Sequence, residues 1–236
     1  MNYKKNSQII AISGLKNSGK GVASEMVQYL LNAPKPFRTY WWYRKIRFPG
    51  KWKIISFAKP LKEVLSNILG VKTNKFEDRS FKENKFVYLY DFRILDKYLL
   101  DDSDILSDNK FTKAIKSGEP LPQSTYLSVR QLMQYVGTNV LQTYLGRRVW
   151  INSTLKHKEP FIISDLRFIE EFNAVKEKDG TVIYIKRDSA KPGTHQSEKE
   201  VLDLYNQGKF DFVIDNNGTL KDLFNNLKEI IWQVKK

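Results

Sequence analysis

Gly14-Leu15-Lys16-Asn17-Ser18-Gly19-Lys20 is the stretch that decides how this chain is read. It follows a short apolar run, Ile9-Ile10-Ala11-Ile12, and precedes a helical pattern that starts near Val22. Strand, glycine-rich turn, lysine and helix together make a phosphate cradle, the P-loop. The glycines let the backbone curl so that N–H groups point inward, the helix N-terminus adds partial positive charge, and Lys20 can reach β- and γ-phosphates. The competing reading is a flexible Gly/Ser turn that happens to contain a lysine. Gly21 and Val22 follow the lysine, where many phosphate loops carry a Ser or Thr whose hydroxyl ligates Mg²⁺. The missing hydroxyl favours a small-molecule kinase over a switch GTPase or a motor. The nucleotide-binding set on this reading is Gly14, Lys16, Asn17, Ser18, Gly19, Lys20, Gly21 and Val22.

At 236 residues the chain is expected to be one domain with insertions, and 41% hydrophobic residues suffice for a core. No apolar run reaches the roughly 18 residues of a membrane span. The segment Met1-Asn2-Tyr3-Lys4-Lys5 has no apolar signal core, and no cysteine is present, which together point to the cytoplasm, the host's if the protein is viral. With two histidines and no cysteine, a His/Cys metal centre is not expected. The net charge of +14 attracts polyanions, whether nucleic acid or nucleotide phosphates.

Five apolar runs read as buried strands: Gln8–Ser13, Lys53–Phe57, Phe161–Asp165, Thr181–Ile185 and Phe212–Asp215. Helical patterns cover Val22–Leu31, Pro60–Leu69, Ser128–Leu145, Ile169–Lys178, Ser197–Tyr205 and Leu220–Val234. Alternation of this kind predicts an α/β P-loop NTPase fold: a five-stranded parallel sheet with helices on both faces. An acceptor-binding region over 71–160 and a lid over 186–198 complete the single domain, 1–236. Two stretches break the alternation. Residues 33–52 hold seven aromatics, six basic residues and no acid. They read as an insertion whose rings pack on the domain, in preference to a surface that stacks nucleic-acid bases. The stretch 71–123 is long and mixed, and its acidic run from Asp96 to Asp108 reads as a solvated loop rather than a metal site.

Ser128 and Gln131 form a capping box, so a helix should start there. Arg130, Gln134 and Thr138 then share one face, suited to a phosphate and a base edge, or else form an ordinary polar face. In Ile162-Ile163-Ser164-Asp165-Leu166-Arg167-Phe168, Asp165 ends a buried strand beside the P-loop strand, where Mg²⁺ is held directly or through water. A helix cap is the alternative for Asp165. Arg187 ends another strand before a Pro/Gly loop and is placed to close over a transferring phosphoryl group. Ser197 and Glu200 suggest a cap for the helix beyond that loop. Asn216 and Gly218 lie in the turn after the last strand, either beside the adenine or as a plain Asn-Gly turn.

Several motifs now stand in order: Gly14–Lys20, Ser56-Phe57-Ala58-Lys59-Pro60-Leu61-Lys62, Ser128–Gln134 with Gly137-Thr138, Trp150-Ile151-Asn152, Ser164–Phe168, and His195-Gln196-Ser197-Glu198. Over nearly its whole length the chain resembles the deoxynucleoside monophosphate kinase family found mainly in bacteriophages. The resemblance implies ATP-dependent conversion of deoxynucleoside monophosphates to diphosphates, with Mg²⁺, in a family that is often dimeric. It implies catalytic roles for Lys20, Arg130, Asp165, Arg167 and Arg187, with Mg²⁺ on Asp165 through water. It implies acceptor binding by Phe57, Lys62, Arg130, Gln134, Thr138, Trp150 and Arg167. An arginine common in the family four residues after the Gly-Thr pair is Gln142 here, with Arg147 and Arg148 close behind. The other readings are a P-loop kinase of a different small molecule, such as phosphomevalonate or a nucleoside, and a nucleic-acid-binding protein with a regulatory ATP site.

Overall fold

All five apolar runs become strands of one parallel sheet in the computed structural model, which describes residues 8–90, 93–94, 100–101, 124–146, 148–191, 193 and 196–235. The strands are β1 (Ile9–Ser13), β2 (Lys53–Ile55), β7 (Phe161–Leu166), β8 (Thr181–Lys186) and β9 (Phe212–Asp215), in the order β2-β7-β1-β8-β9. The sheet belongs to a unit made of Met1–Phe57 and Ile151–Lys236. Successive residues of a strand point to opposite faces, so the apolar residues sort by parity. Ile10, Ile12, Ile162 and Ile183 pack with Met26 and Leu30 of α1 (Lys20–Asn32) and with Phe224 and Leu227 of α9 (Leu220–Lys235). Ile9, Ala11, Ile163 and Val182 pack on the other face with Phe172 of α7 (Ile169–Glu177) and Val201 of α8 (Gln196–Asn206). Each fully buried aliphatic side chain contributes roughly 1.5–3 kcal/mol. β1 is buried at every position, as a central strand covered on both faces must be.

Asn32 and Gln28 of α1 tie down the far end of the insertion, Gln28 Nε2 donating to Trp52 O at 3.1 Å. Asn32 Oδ1 accepts the Trp52 N–H at 3.2 Å and Asn32 Nδ2 donates to Trp52 O at 3.1 Å. Between these ends lie a 3₁₀ turn, Lys35–Phe37, and the short helix α2 (Tyr40–Lys45). Tyr43 is buried, and Tyr40, Trp42, Phe48 and Trp52 pack against the core beside α1 and α9. These five rings pack on the core, whereas Trp41 is 58% exposed.

The second compact unit is Ala58–Trp150, so the structure divides the expected single domain and starts the division before residue 71. The physical reason is α3 (Lys59–Leu69): Leu61, Leu65 and Leu69 sit in a core with Phe76, Phe81, Val87, Leu127 and Leu132, all of the same unit. This unit has a small antiparallel sheet that the sequence reading lacks. In it β3 (Lys85–Tyr90) pairs with β4 (Arg93–Ile94), β5 (Leu100–Asp101) and β6 (Ser124–Ser128). Helix α4 (Arg79–Asn84) precedes β3. Helix α5 starts at Val129 behind the expected box: Ser128 Oγ accepts the Gln131 N–H at 3.2 Å, and Gln131 Oε1 accepts the Ser128 N–H at 2.8 Å. Beyond Gln134 it widens to a π-helical stretch, Tyr135–Gln142, before a last turn, Thr143–Leu145. Gly137 lies inside that stretch, its carbonyl accepting Trp150 Nε1–H at 3.2 Å. That carbonyl is thereby taken up by a side chain within the widened stretch. The chain returns to the first unit through α6 (Val149–Thr154). Apart from Leu100 and Asp101, the acidic run lies outside the described residues, as do Arg147, Pro192, Thr194 and His195.

Candidate active site

The P-loop is shaped by three left-handed residues, Gly14 (φ 143°), Asn17 (φ 66°) and Gly19 (φ 98°). At Gly14 a Cβ would sit 2.5 Å from Ile185 O on β8, so only glycine lets the loop leave β1 this close to its neighbour. At Gly19 a Cβ would sit 2.5 Å from Asn216 Nδ2. That amide donates to Ser18 O at 2.9 Å in the interior. Asn216 therefore props the loop from behind with its side chain, a role the sequence does not announce. Ser18 Oγ is buried and has no hydrogen-bond partner among the described residues. Lys20 Nζ donates to Gly14 O at 2.7 Å and to Leu15 O. Gly21 and Val22 are exposed on the first turn of α1, and Lys16 and Asn17 are exposed on the loop.

A register shift at the end of β1 sets the neighbouring strand. Ser13 pairs with Leu166 after Ala11 has paired with Ile163, so β7 gains a residue at the point where Asp165 lies. Ser13 Oγ donates to Leu166 O at 3.0 Å, which fixes the shift. Asp165 Oδ1 accepts the Phe57 N–H at 2.9 Å. Phe57 departs here from its expected part in acceptor binding. Its ring is only 4% exposed and packs in the core under the sheet, so it offers the site a backbone donor.

Lys20, Asp165 and Arg167 act on one another electrostatically. Burial pushes the Lys20 amine down to about 8, Arg167 adds to this, and Glu198 and Asp165 oppose it. Two carboxylates here have no role in the sequence reading, although Glu198 stands in one of its motifs. Glu171, in the first turn of α7, accepts N–H groups from Arg167 at 2.7 Å and Phe168 at 3.1 Å. Burial pushes its carboxyl up to about 8, and the charge of Asp165 adds to the rise. Glu198, in the first turn of α8, accepts the Lys16 N–H at 3.0 Å with one oxygen and the Gly193 N–H with the other. Burial alone would raise Glu198. The two N–H groups, with Lys20 and Arg167, outweigh it and hold the carboxyl below its usual range. Helix α8 starts at Gln196, so Ser197 falls inside its first turn, and Glu200 accepts the Ile169 N–H at 2.9 Å. Arg187 is exposed beyond β8 with no ion-pair partner among the described residues. Lys186 takes Asp188 at 3.4 Å, a partner the sequence could equally give to Arg187. Asn216 is buried, whereas Gly218 is exposed in a turn closed by Thr219 and Asp222.

The second unit has a cationic cluster of its own. Lys62 reaches Glu77 at 2.7 Å with its side chain 11% exposed, and Arg130 reaches Glu83 at 3.1 Å. Lys82 on α4 belongs with them, since burial, then Arg130 and Lys62, push its amine below the ordinary lysine range. The sequence reading has Lys62 and Arg130 but not Lys82. Gln134 is exposed on the same helix as Arg130, and Thr138 lies in the π-helical stretch. Trp150 is held by Gly137 and by the core of this unit. No cluster of three or more metal-ligating side chains occurs among the described residues. No helix among them is long and apolar enough to cross a membrane.

A family model described as deoxynucleotide monophosphate kinase matches residues 74–227. A putative deoxynucleotide monophosphate kinase of Acanthamoeba polyphaga mimivirus is 32% identical over 116 residues, 42% of this chain and 58% of that protein. The deoxynucleotide monophosphate kinase of Enterobacteria phage T4 is 24% identical over 264 aligned positions, 95% of this chain and 98% of that protein. The Escherichia phage RB69 protein of the same description is 26% identical over 115 residues, 44% of this chain and 45% of its own length.

Proposed function

Because the chain belongs to the deoxynucleotide monophosphate kinase family, we propose that it transfers the γ-phosphoryl group of ATP to the phosphate of a deoxynucleoside monophosphate, yielding diphosphates for DNA synthesis. The observation that carries this reading is the loop after β1. Its inward-curled backbone, its buried unpartnered Ser18 Oγ and its lysine held by loop carbonyls fit a chain of phosphates. In the proposal Gly14, Lys16, Asn17, Ser18, Gly19, Gly21 and Val22 surround the ATP phosphates, and Lys20 turns from the loop carbonyls to them. Asn216 holds that loop in shape and Gly218 borders the base. Lys62, Arg130 and Lys82 take the acceptor phosphate, with Gln134, Thr138 and Trp150 beside its nucleoside. Arg167 and Arg187 neutralise charge that builds on the transferring group.

Asp165, at a strand end beside the P-loop and electrostatically linked to Lys20, suits an Mg²⁺ carried in with the nucleotide and held through water. When bound, Mg²⁺ supplies charge neutralisation on the ATP phosphates. The acceptor phosphate is already anionic near pH 7, so no side chain has to remove a proton. A coupled ADP-release assay with dAMP, dGMP, dCMP, dTMP and the four ribonucleotides tests the proposal. Turnover with at least one deoxynucleoside monophosphate is expected. Release of ADP only with a nucleoside or a non-nucleotide phosphate would sink it.

A further inference from the structure

The charge of the insertion is left unused by the reaction. Helix α2 has two sides. Tyr40 and Tyr43 turn inward onto Phe224 of α9, at ring separations of 5.8 and 5.7 Å. Trp41 is 58% exposed, and Arg44 and Lys45 are exposed beside it. On α9, Lys221, Asn225 and Lys228 recur at helical spacing, opposite the stripe of Leu223, Phe224 and Leu227 that enters the core. The two polar faces line an open groove of about 670 Å³, walled by Trp41, Arg44, Lys45, Lys221, Asn225 and Lys228. No carboxylate occurs among the described residues that line it. None of the four cations is in an ion pair among the described residues. Trp232, 60% exposed, follows Lys228 on the same stripe.

We propose that this groove binds a short stretch of single-stranded nucleic acid, with a base stacked on Trp41 and the backbone phosphates on Arg44, Lys45, Lys221 and Lys228. An exposed indole among cations that form no ion pair among the described residues is the pairing that single strands use: a π-face that accepts any base, and charges that follow the backbone. The stripe favours a strand over a free mononucleotide. From Lys221 to Trp232 it runs about 16 Å along the helix, with Trp232 exposed at its end and Trp41 exposed on α2. The site draws on none of the residues assigned to phosphoryl transfer, so binding there is a second activity of the chain.

The test is an anisotropy titration of the whole protein with a fluorescein-labelled oligothymidylate across a salt series, alongside the same titration with labelled dTTP. Oligonucleotide binding that weakens with salt is expected. Trp41→Ala should weaken it about 10-fold, the effect of one lost stacked base. The double variant Arg44→Ala/Lys228→Ala should lower the salt slope by about 1.4, or about 0.7 per cation. Arg44→Glu should weaken it further, with thermal melting and phosphoryl transfer unchanged in all three proteins. Absence of oligonucleotide binding at low salt overturns the proposal. So does binding with the same affinity and slope in every variant, which would put the strand elsewhere on the protein. Binding of dTTP that Trp41→Ala abolishes, without oligonucleotide binding, also overturns it in favour of a mononucleotide site.

Discussion

On the proposed function, Lys20 meets opposite demands from folding and from ATP. Its amine is buried beside Arg167, and its protonation falls from an ordinary 10.5 to about 8. The depressed value means that the stability contribution of Lys20 is present above 10.5 and lost as pH falls through about 8. Lys20→Met should therefore melt higher than the native protein at pH 7 when measured without ATP, and the gap should shrink as pH rises toward 10. Equal melting at both pH values would contradict it. In the proposed reading ATP brings negative charge to the amine, so its binding near pH 8 should take up protons. Calorimetry in buffers of different ionisation enthalpy reads that uptake. Phosphoryl transfer in the Met variant should fall about 10²-fold or more. Glu171 has the reverse sign. Its carboxyl is raised from 4.5 to about 8, so its contribution is complete below 4.5 and lost as pH rises through about 8. Glu171→Gln keeps an acceptor for the Arg167 and Phe168 N–H groups without the charge. It should match the native protein at pH 5 and exceed its stability at pH 9. Glu171→Ala orphans both donors and should be about 1–3 kcal/mol less stable than Glu171→Gln at either pH in denaturant titrations.

Among the elements, the turn after β9 and the loop after β1 act as one piece through the Asn216–Ser18 hydrogen bond. Asn216→Ala removes it inside the protein and should destabilise by about 1–3 kcal/mol. The apparent KM for ATP should rise, while the KM for the acceptor stays near its native value. An unchanged ATP KM would show that the prop is dispensable. Why this bond is hidden in the sequence is a matter of range. The loop, the strand ending in Asp165-Leu166-Arg167 and the Ser128–Gln131 box are local patterns, readable because each is written in a few adjacent residues. All five sheet strands are equally plain, since strands buried on both faces become continuous apolar runs. The contacts of Asn216 with Ser18 and of Glu198 with Lys16 join opposite ends of the chain. No local period records such contacts. The small antiparallel sheet escaped for another reason. Lys85–Tyr90 has no polar/apolar alternation, only a run of five apolar and aromatic residues in a long mixed region, too short to tell a strand from a buried loop. With it went Lys82, whose place beside Arg130 depends on that sheet and α4.

At the scale of the molecule, the chain builds its first unit from two separated segments and sets Ala58–Trp150 between them. Both core clusters of the first unit draw only on its own residues, and so does the core of the second. Excising 58–150 and joining the ends with a flexible Gly/Ser linker should leave a folded protein that binds an ATP analogue and transfers nothing. Loss of cooperative melting in the excised protein would show that the first unit needs the second to fold.

The strand order also bears on how the protein is made. β1 pairs with β7 and β8, and β2 pairs with β7, so the two strands that leave the ribosome first have no partner in each other. Until Phe161–Leu166 has been synthesised, the nascent chain holds no paired strand of the main sheet, and nothing can fix the P-loop against β8. Long-range pairing of this kind folds slowly and leaves unpaired edges exposed while it waits. During translation the inserted unit, whose pairings are all internal, is the part able to fold first, and the first unit completes its sheet only after that segment is already built.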